Sequence, residues 1–309
     1  MENVLKIFKA LSDETRLRIF NILANHELNV NEIVQVLQMG QSRVSRHLKI
    51  LSDCGLVRSR RDGSFVYYQS EQDETKQTLM TFIKNTLPDT EELGMDFARS
   101  ATIVGERKQK TRKFFNRMAE NWDALKRDIF GNLDLNRELM EKGAGRHASV
   151  AVDLGCGTGE LMELACRISD LVIGVDSSTK MLDQARTRLK DLNAKLDFRL
   201  GEIEHIPLKD SEADLAFINM VLNHIAVPAN VIRETRRILK PGGLFVLADL
   251  SKHNFENIKS RFGSHWMGFE KEEIEKWLTE AGFTLEDVAV YPVELGLEVN
   301  VFTALKPSP

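Results

Sequence analysis

Cysteine is scarce in this chain. Three occur in 309 residues, Cys54, Cys156 and Cys166, far apart and without CxxC spacing. That excludes a disulfide framework and a structural zinc site, and it fits a reducing compartment. Long apolar runs are also missing: no stretch approaches the roughly 18 residues of a membrane span. The N-terminal MENVLKIFKALSDETR lacks a basic segment followed by an apolar one. A cytoplasmic protein without membrane contact is therefore expected. An excess of positive charge is absent too, since Lys+Arg 42 against Asp+Glu 46 leaves a net charge of −4. This argues against binding nucleic acid with the whole surface. What is present is 42% apolar and 28% charged residues, enough for a large core, in a chain long enough for two domains.

Positive charge is concentrated locally. Between Gln41 and Arg61 stand Arg43, Arg46, Lys49, Arg58, Arg60 and Arg61 against the single acid Asp53. Upstream, Leu5, Phe8, Leu11, Leu17, Phe20 and Leu23 recur at three- and four-residue steps broken by SDET, which predicts two short helices with Ser12 as an N-cap. A third apolar-periodic stretch, Asn31 to Leu37, ends at Met39-Gly40. A fourth carries Val44, Leu48 and Leu51 on one face. Helix, glycine-containing turn and helix form a helix-turn-helix. The fourth helix then presents Gln41, Ser42, Arg43, Ser45, Arg46, His47 and Lys49, side chains that can reach base edges and phosphates from a major groove. Leu56 to Arg60 and Phe65 to Gln69, joined across Asp62-Gly63, predict a hairpin whose Arg58, Arg60 and Arg61 suit phosphate contact. The bland alternative is a helical domain whose arginines only keep a face solvated.

Over residues 3 to 72 the chain resembles the ArsR/SmtB family of winged-helix repressors, through ALSDETRLRIFNIL and QSRVSRHLKILSDCGLVRSRRDGSFVYY. The resemblance implies a homodimer on a two-fold symmetric operator in double-stranded DNA. One departure matters. Where metal-sensing members carry Cys-x-Cys, this chain reads Glu27-Leu28-Asn29-Val30-Asn31, which cannot supply soft thiolate ligands. The helix expected after the wing, Gln72 to Leu87, has neither His nor Cys, so no metal is expected as effector.

Leu87-Pro88-Asp89 breaks that helix, and about fifty polar, helix-patterned residues follow. Within them Phe114, Phe115, Met118, Trp122, Leu125 and Ile129 form one helical stripe, whose ordinary meaning is packing. From Ser149 onward apolar runs alternate with amphipathic helices: Val150 to Leu154, Leu171 to Val175, Leu196 to Leu200, Leu215 to Asn219, Leu244 to Asp249, Thr284 to Val290 and Leu297 to Leu305. That pattern predicts a parallel sheet of seven strands. The expected divisions are 1–95 for the winged helix, 96–145 for a helical connector, and 146–309 for an α/β Rossmann-like domain.

Ligand signals lie at the strand ends. The first strand runs into Asp153-Leu154-Gly155-Cys156-Gly157-Thr158-Gly159, a glycine turn that lets backbone approach a ligand. Its GxGxG spacing and the following Glu160 disfavour a diphosphate cofactor. Asp176 ends the second strand, where a carboxylate can accept both hydroxyls of a ribose. Gly201-Glu202-Ile203-Glu204 follows the third.

Across residues 110 to 306 these features resemble the class I S-adenosylmethionine (SAM) dependent methyltransferases, through VAVDLGCGTGELM, VIGVDSSTKMLDQA, LGEIEHIPLKDSEADLAFINMVLNHI and LKPGGLFVLADL. The resemblance implies SAM or S-adenosylhomocysteine (SAH) as cofactor. Asp153, Gly155, Gly157 and Gly159 would hold its methionine part and Asp176 its ribose. Ser177 and Met181 would flank the adenosine, Glu202 and Ile203 the adenine, and Asn219 the sulfonium. It also makes the connector a lid, with Phe115 and Trp122 over the cofactor. Asn219 and His224 are weak catalytic candidates. His205, His253 and His265 lie in loops expected at the same edge, and residues 260–269 could border an acceptor pocket. Two functions remain open: a regulator whose methyltransferase-fold domain senses SAM or SAH, and an active methyltransferase on a small molecule with an autoregulatory winged helix.

Overall fold

In the first third of the chain, three- and four-residue apolar spacing builds α1 (Glu2–Leu11) and α2 (Glu14–Leu23). The computed structural model describes residues 2–71, 74–86, 90–131, 133–143, 145 and 147–308. Asp13, not Ser12, caps α2: its carboxylate accepts the Arg16 N–H at 3.0 Å, while the Ser12 hydroxyl donates back to the Lys9 carbonyl at 2.8 Å. Where thiolate ligands would have stood, the chain forms the two-residue strand β1 (Leu28–Asn29). Asn29 and Glu32 make a reciprocal capping box for α3 (Val30–Leu37). Gln38 ends α3 in the left-handed region at φ 53°, and Gly40 precedes α4 (Gln41–Asp53), which buries Val44, Leu48 and Leu51. The wing is β2 (Val57–Asp62) and β3 (Phe65–Ser70), turned at Gly63 with φ 60°. Strand β3 pairs antiparallel with both β2 and β1.

After the wing comes α5 (Glu74–Thr86). The break expected at Leu87-Pro88-Asp89 lies outside the described residues. Helix α6 (Glu91–Met118) is 28 residues long and runs through the expected division at residue 95. The chain separates into two units, Met1–Lys108 and Gln109–Pro309, so most of α6 belongs to the first. Fully buried Asp96 there receives two hydrogen bonds from Arg18, at 2.7 and 3.0 Å. Arg107 donates to Glu32 at 2.8 Å and to the Glu27 carbonyl at 3.1 Å.

The second unit contains α7 (Trp122–Phe130), α8 (Leu135–Gly143), β4 (Ala148–Leu154), α9 (Glu160–Ala165), β5 (Ser169–Asp176), α10 (Thr179–Leu189) and β6 (Lys195–Leu200). It continues with β7 (Ala213–Asn219), α11 (Pro228–Ile238), β8 (Leu239–Leu250), α12 (Glu256–Phe262), α13 (Lys271–Glu280), β9 (Thr284–Pro292) and β10 (Glu298–Leu305). The seven expected strands all form. Their order is β6-β5-β4-β7-β8-β10-β9, parallel except for β10, which is antiparallel to both β8 and β9. Central strands covered on both faces read as nearly continuous apolar runs, as in buried Phe245, Val246, Leu247 and Ala248. The chain adds strands outward from β4 through β6 and then returns to β7 on the other side of β4. That reversal opens a crevice at the carboxyl ends of the strands. Among the described residues, no helix is long and apolar enough to cross a membrane, and no group of three or more His, Cys, Asp or Glu is placed to hold a metal ion.

Candidate functional site

The first candidate surface is the outer face of α4. Gln41, Ser42, Arg43, Ser45, Arg46 and Lys49 are all exposed. His47 is not part of that face. Its side chain is 12% exposed, with Nδ1 at 3.7 Å from Asp13, and burial pushes its pKa down, with Asp13 opposing. The wing arginines also divide. Arg58 donates to Gln69 at 3.2 Å across the hairpin, and Arg60 turns to buried Glu27 at 3.4 Å. Burial raises the Glu27 carboxyl, and Arg60 counteracts it. Arg61 stays at the exposed tip, donating to the Gly63 carbonyl at 3.2 Å. An exposed row with several cations on one helix, and one more at a hairpin tip, suits a polyanion with regularly spaced charge.

The second site is a cleft of about 120 Å³ at the strand ends of the second unit. Of the residues read from sequence it brings together Asp153, Gly155, Gly157, Asp176, Ser177, Met181, Glu202, Ile203, Asn219 and His224, with Phe115 and Trp122. Gly155, at φ 77°, has no room for a side chain, because an added Cβ would lie 2.5 Å from Val221. The Asp176 carboxylate shapes the turn by accepting the Gly157 N–H at 2.9 Å and the Ser178 N–H at 2.8 Å. Gly159 does not line the cleft. At φ 82° it caps α9, and a Cβ there would press on Ala185 and Leu189 of α10 at 3.1 Å, so its task is close packing. His205, His253 and His265 also lie outside the lining.

Burial raises the carboxyls inside the cleft. Asp153 is pushed up to about 7 by desolvation and then by Asp176, and Asp176 to about 6 by desolvation, with Glu202 adding to it. A cationic ligand would restore both to the ionised form. Burial also pushes His224 down to about 4, so its ring is neutral. Phe115 packs edge-on against Trp122 and His224, with ring centres 5.2 and 4.8 Å apart.

Several lining residues carry no signal in the sequence: Thr111, Lys126, Phe130 and Asn136. Helix α7 is held over the glycine turn by Lys126 pairing with Glu160 and by Asp123, which accepts from Thr158 at 2.8 Å and pairs with Arg188. Asn136 donates to Glu160 at 3.2 Å and accepts from Asn219 at 2.7 Å. Asn219 Oδ1 is buried without a hydrogen-bond partner among the described residues, which marks a place for a ligand donor.

Comparisons with known proteins match both parts of the chain. Residues 13–59 match the model of bacterial regulatory proteins of the arsR family, and residues 152–247 that of the methyltransferase domain. The chain is 44% identical over 114 residues to an uncharacterized 37.1 kDa transposon protein of Streptomyces fradiae, covering 36% of this chain and 33% of that protein. It is 30% identical over 174 residues to a demethylmenaquinone methyltransferase of Symbiobacterium thermophilum, covering 53% and 68%. A geranyl diphosphate C-methyltransferase of Streptomyces coelicolor, solved with SAH, superposes with a TM-score of 0.50 at 16% identity over 56% of this chain and 78% of that one, a likeness of fold. The chain thus spans from one third to two thirds of the length of these two sequence relatives.

Proposed function

Because the chain belongs to the SAM-dependent methyltransferases and carries an arsR-family regulatory domain ahead of the catalytic fold, we propose that it is a DNA-binding regulator whose effector is SAM or SAH. The methyltransferase domain takes SAM or SAH, the cofactor of its family, and its cleft fits that group. Asp176 would suit the ribose hydroxyls, Ser177 and Met181 the adenosine, and Glu202 with Ile203 the adenine, since all five line the cleft. Asp153, Gly155 and Gly157 suit the methionyl part, and Asn219, with its unpaired oxygen, the sulfonium side. Phe115 and Trp122 line the cleft and would suit a cover over the cofactor.

The observation that carries the regulatory reading is the pairing, in one chain, of a solvent-facing row of Gln41, Ser42, Arg43, Ser45, Arg46 and Lys49 with a formed cofactor cleft. Operator DNA is the partner this row suits, with Arg61 at the wing adding a phosphate contact. A homodimer is supported by the apolar side chains of Val4, Leu5 and Phe8 on α1, each more than half exposed, which a second copy would cover. The duplex would then present two half-sites about one helical turn apart.

Fluorescence anisotropy on the chain's own upstream DNA, at fixed salt, tests this reading. The affinity should change when SAM or SAH is added. Equal affinity with either ligand and with none would make the two domains independent.

A second reading, transfer of the methyl group to a small acceptor, is favoured by the likeness to the demethylmenaquinone methyltransferase. Transfer needs mainly proximity and alignment and no general base.

A further inference from the structure

The wing carries an arginine that the solvent-facing row does not use. Side chains alternate along β2, so Arg61 stands in solvent while Arg58, Arg60 and fully buried Asp62 take the other face. There Arg60 Nη2 lies 3.4 and 3.5 Å from the two carboxylate oxygens of Glu27, a residue 6% exposed just ahead of β1. We infer that Arg60 is a DNA-phosphate ligand held in reserve by Glu27, and that uptake of one proton by Glu27 as the duplex binds releases it to a phosphate. The inference rests on the DNA-binding reading of the first unit.

Three features make the tie releasable. It is long, since a charge-assisted N–H···O contact ordinarily closes to about 2.7–2.9 Å. Its carboxylate is deprived of water, and burial raises the Glu27 pKa in spite of Arg60, Arg58 and Arg107, which act the other way. The protonated form is therefore nearer to hand than in an exposed glutamate. Finally, β2 is an edge strand in the order β1-β3-β2, so the Arg60 stem can swing round an open edge without crossing another strand.

The other charges around Glu27 are engaged elsewhere. Arg58 donates to Gln69 of β3 at 3.2 Å. Arg107 of α6 donates to Glu32 of α3 at 2.8 Å and to the Glu27 backbone carbonyl at 3.1 Å, with its guanidinium 5.6 Å from the centre of the Tyr67 ring on β3. His26, the preceding residue, packs its ring 5.7 Å from that of Phe97 on α6. Protonation of Glu27 leaves these contacts in place and takes from Arg60 this carboxylate partner.

The exchange balances in charge. In the free chain ionised Glu27 pairs with Arg60. In the complex Arg60 pairs with a phosphate, and Glu27, left buried without that counter-charge, takes a proton from solvent. A group that holds its proton more tightly in the complex than in the free chain makes binding consume a proton, so DNA affinity rises as pH falls.

Fluorescence anisotropy of the full chain on its own upstream DNA, at fixed salt and from about pH 8 to about pH 5.5, tests the inference. The unaltered chain should bind about three- to tenfold more tightly at the acid end. Glu27→Gln, permanently neutral, should bind up to about tenfold more tightly at the alkaline end, lose that step in the pH profile, and show a salt slope steeper by about 1 per chain bound. Adding Arg60→Ala should cancel the gain, whereas Arg60→Ala alone should lose the pH step and keep the alkaline affinity. His26 and His47 are present in every variant, so a pH dependence of theirs would survive Glu27→Gln. Where denaturant midpoints show that Glu27→Gln does not fold, the Arg60→Ala profile decides. A pH step that persists in either variant, no gain in folded Glu27→Gln, or a gain that survives the loss of Arg60 would each overturn the inference and leave the pair a structural tie of the wing. Failure of the unaltered chain to bind the duplex at any pH would instead overturn the DNA reading, and the reserve cation would fall with it.

Discussion

The two units handle charge in opposite ways. On α4 the cations Arg43, Arg46 and Lys49 stand in solvent, one face of a short helix with its apolar residues turned inward. In the methyltransferase unit the charges are enclosed at the strand ends or tied together, as buried Asp153 and half-buried Asp176 are in the cleft and Lys126, Glu160, Asp123 and Arg188 are around α7. Solvent-facing charge acts at range, is screened by salt and suits a long polyanion. Enclosed charge is sensitive to desolvation and suits one small ligand of matching shape and sign. On the proposed reading the same chain carries two recognition surfaces that should respond to different variables.

Substitutions can break that contrast, and the largest effect should come from neither surface. Asp96→Ala removes the buried carboxylate that accepts from Arg18 Nε and Nη2, leaving only the half-exposed Glu92 as partner, and should destabilise the winged-helix unit by about 3 kcal/mol, read as a lowered denaturant midpoint. Next, Asp176→Ala should weaken SAH binding about 100-fold, roughly 2.7 kcal/mol, by removing the ribose acceptor. Calorimetry measures it, and DNA affinity without ligand should not move. Arg46→Ala should do the reverse. It should cost about 1–2 kcal/mol of operator affinity and lower the salt slope by about 1, with SAH affinity intact.

The smallest effect sharpens the contrast through pH. Asp153 and Asp176 have folded pKa values raised to about 7 and about 6 from an unfolded value near 3.8. The native state holds their protons more tightly than the unfolded chain, so their contribution favours folding at low pH and is lost as pH rises from about 4 through 7. Binding of the cationic SAM should run the other way, strengthening by up to about tenfold between pH 5.5 and 7.5 and releasing protons. Calorimetry in two buffers of different ionisation enthalpy would detect the release. An affinity independent of pH would mean that the buried carboxylates do not face the ligand.

What was legible in the sequence was local. The helix-turn-helix, the hairpin and the glycine turn each lie within a few consecutive residues, where apolar period and turn chemistry dictate the shape. Seven strands were readable for the same reason. Misplaced residues had partners far along the chain: His47 turns to Asp13 and Arg60 to Glu27, and both partners stand outside the basic window that drew attention to them. Lys126, Asn136 and Phe130 reach the cleft only because α7 and the start of α8 pack over the glycine turn, a long-range event with no local signature. Gly159 matched a motif, yet the space it protects belongs to α10. The division expected near residue 95 falls inside α6, because polar composition alone does not end a helix.

Coupling between the two surfaces is the central claim, and linkage gives it a direct measurement. SAM and SAH affinities of the full chain are determined by calorimetry with and without a saturating duplex of its own upstream DNA. For the effector, the affinity should change on DNA by the same factor by which that ligand changes DNA affinity, about 5- to 150-fold for ordinary coupling energies. Ligand affinities that are identical with and without the duplex, both partners being bound, would contradict a sensor and leave two independent activities in one chain.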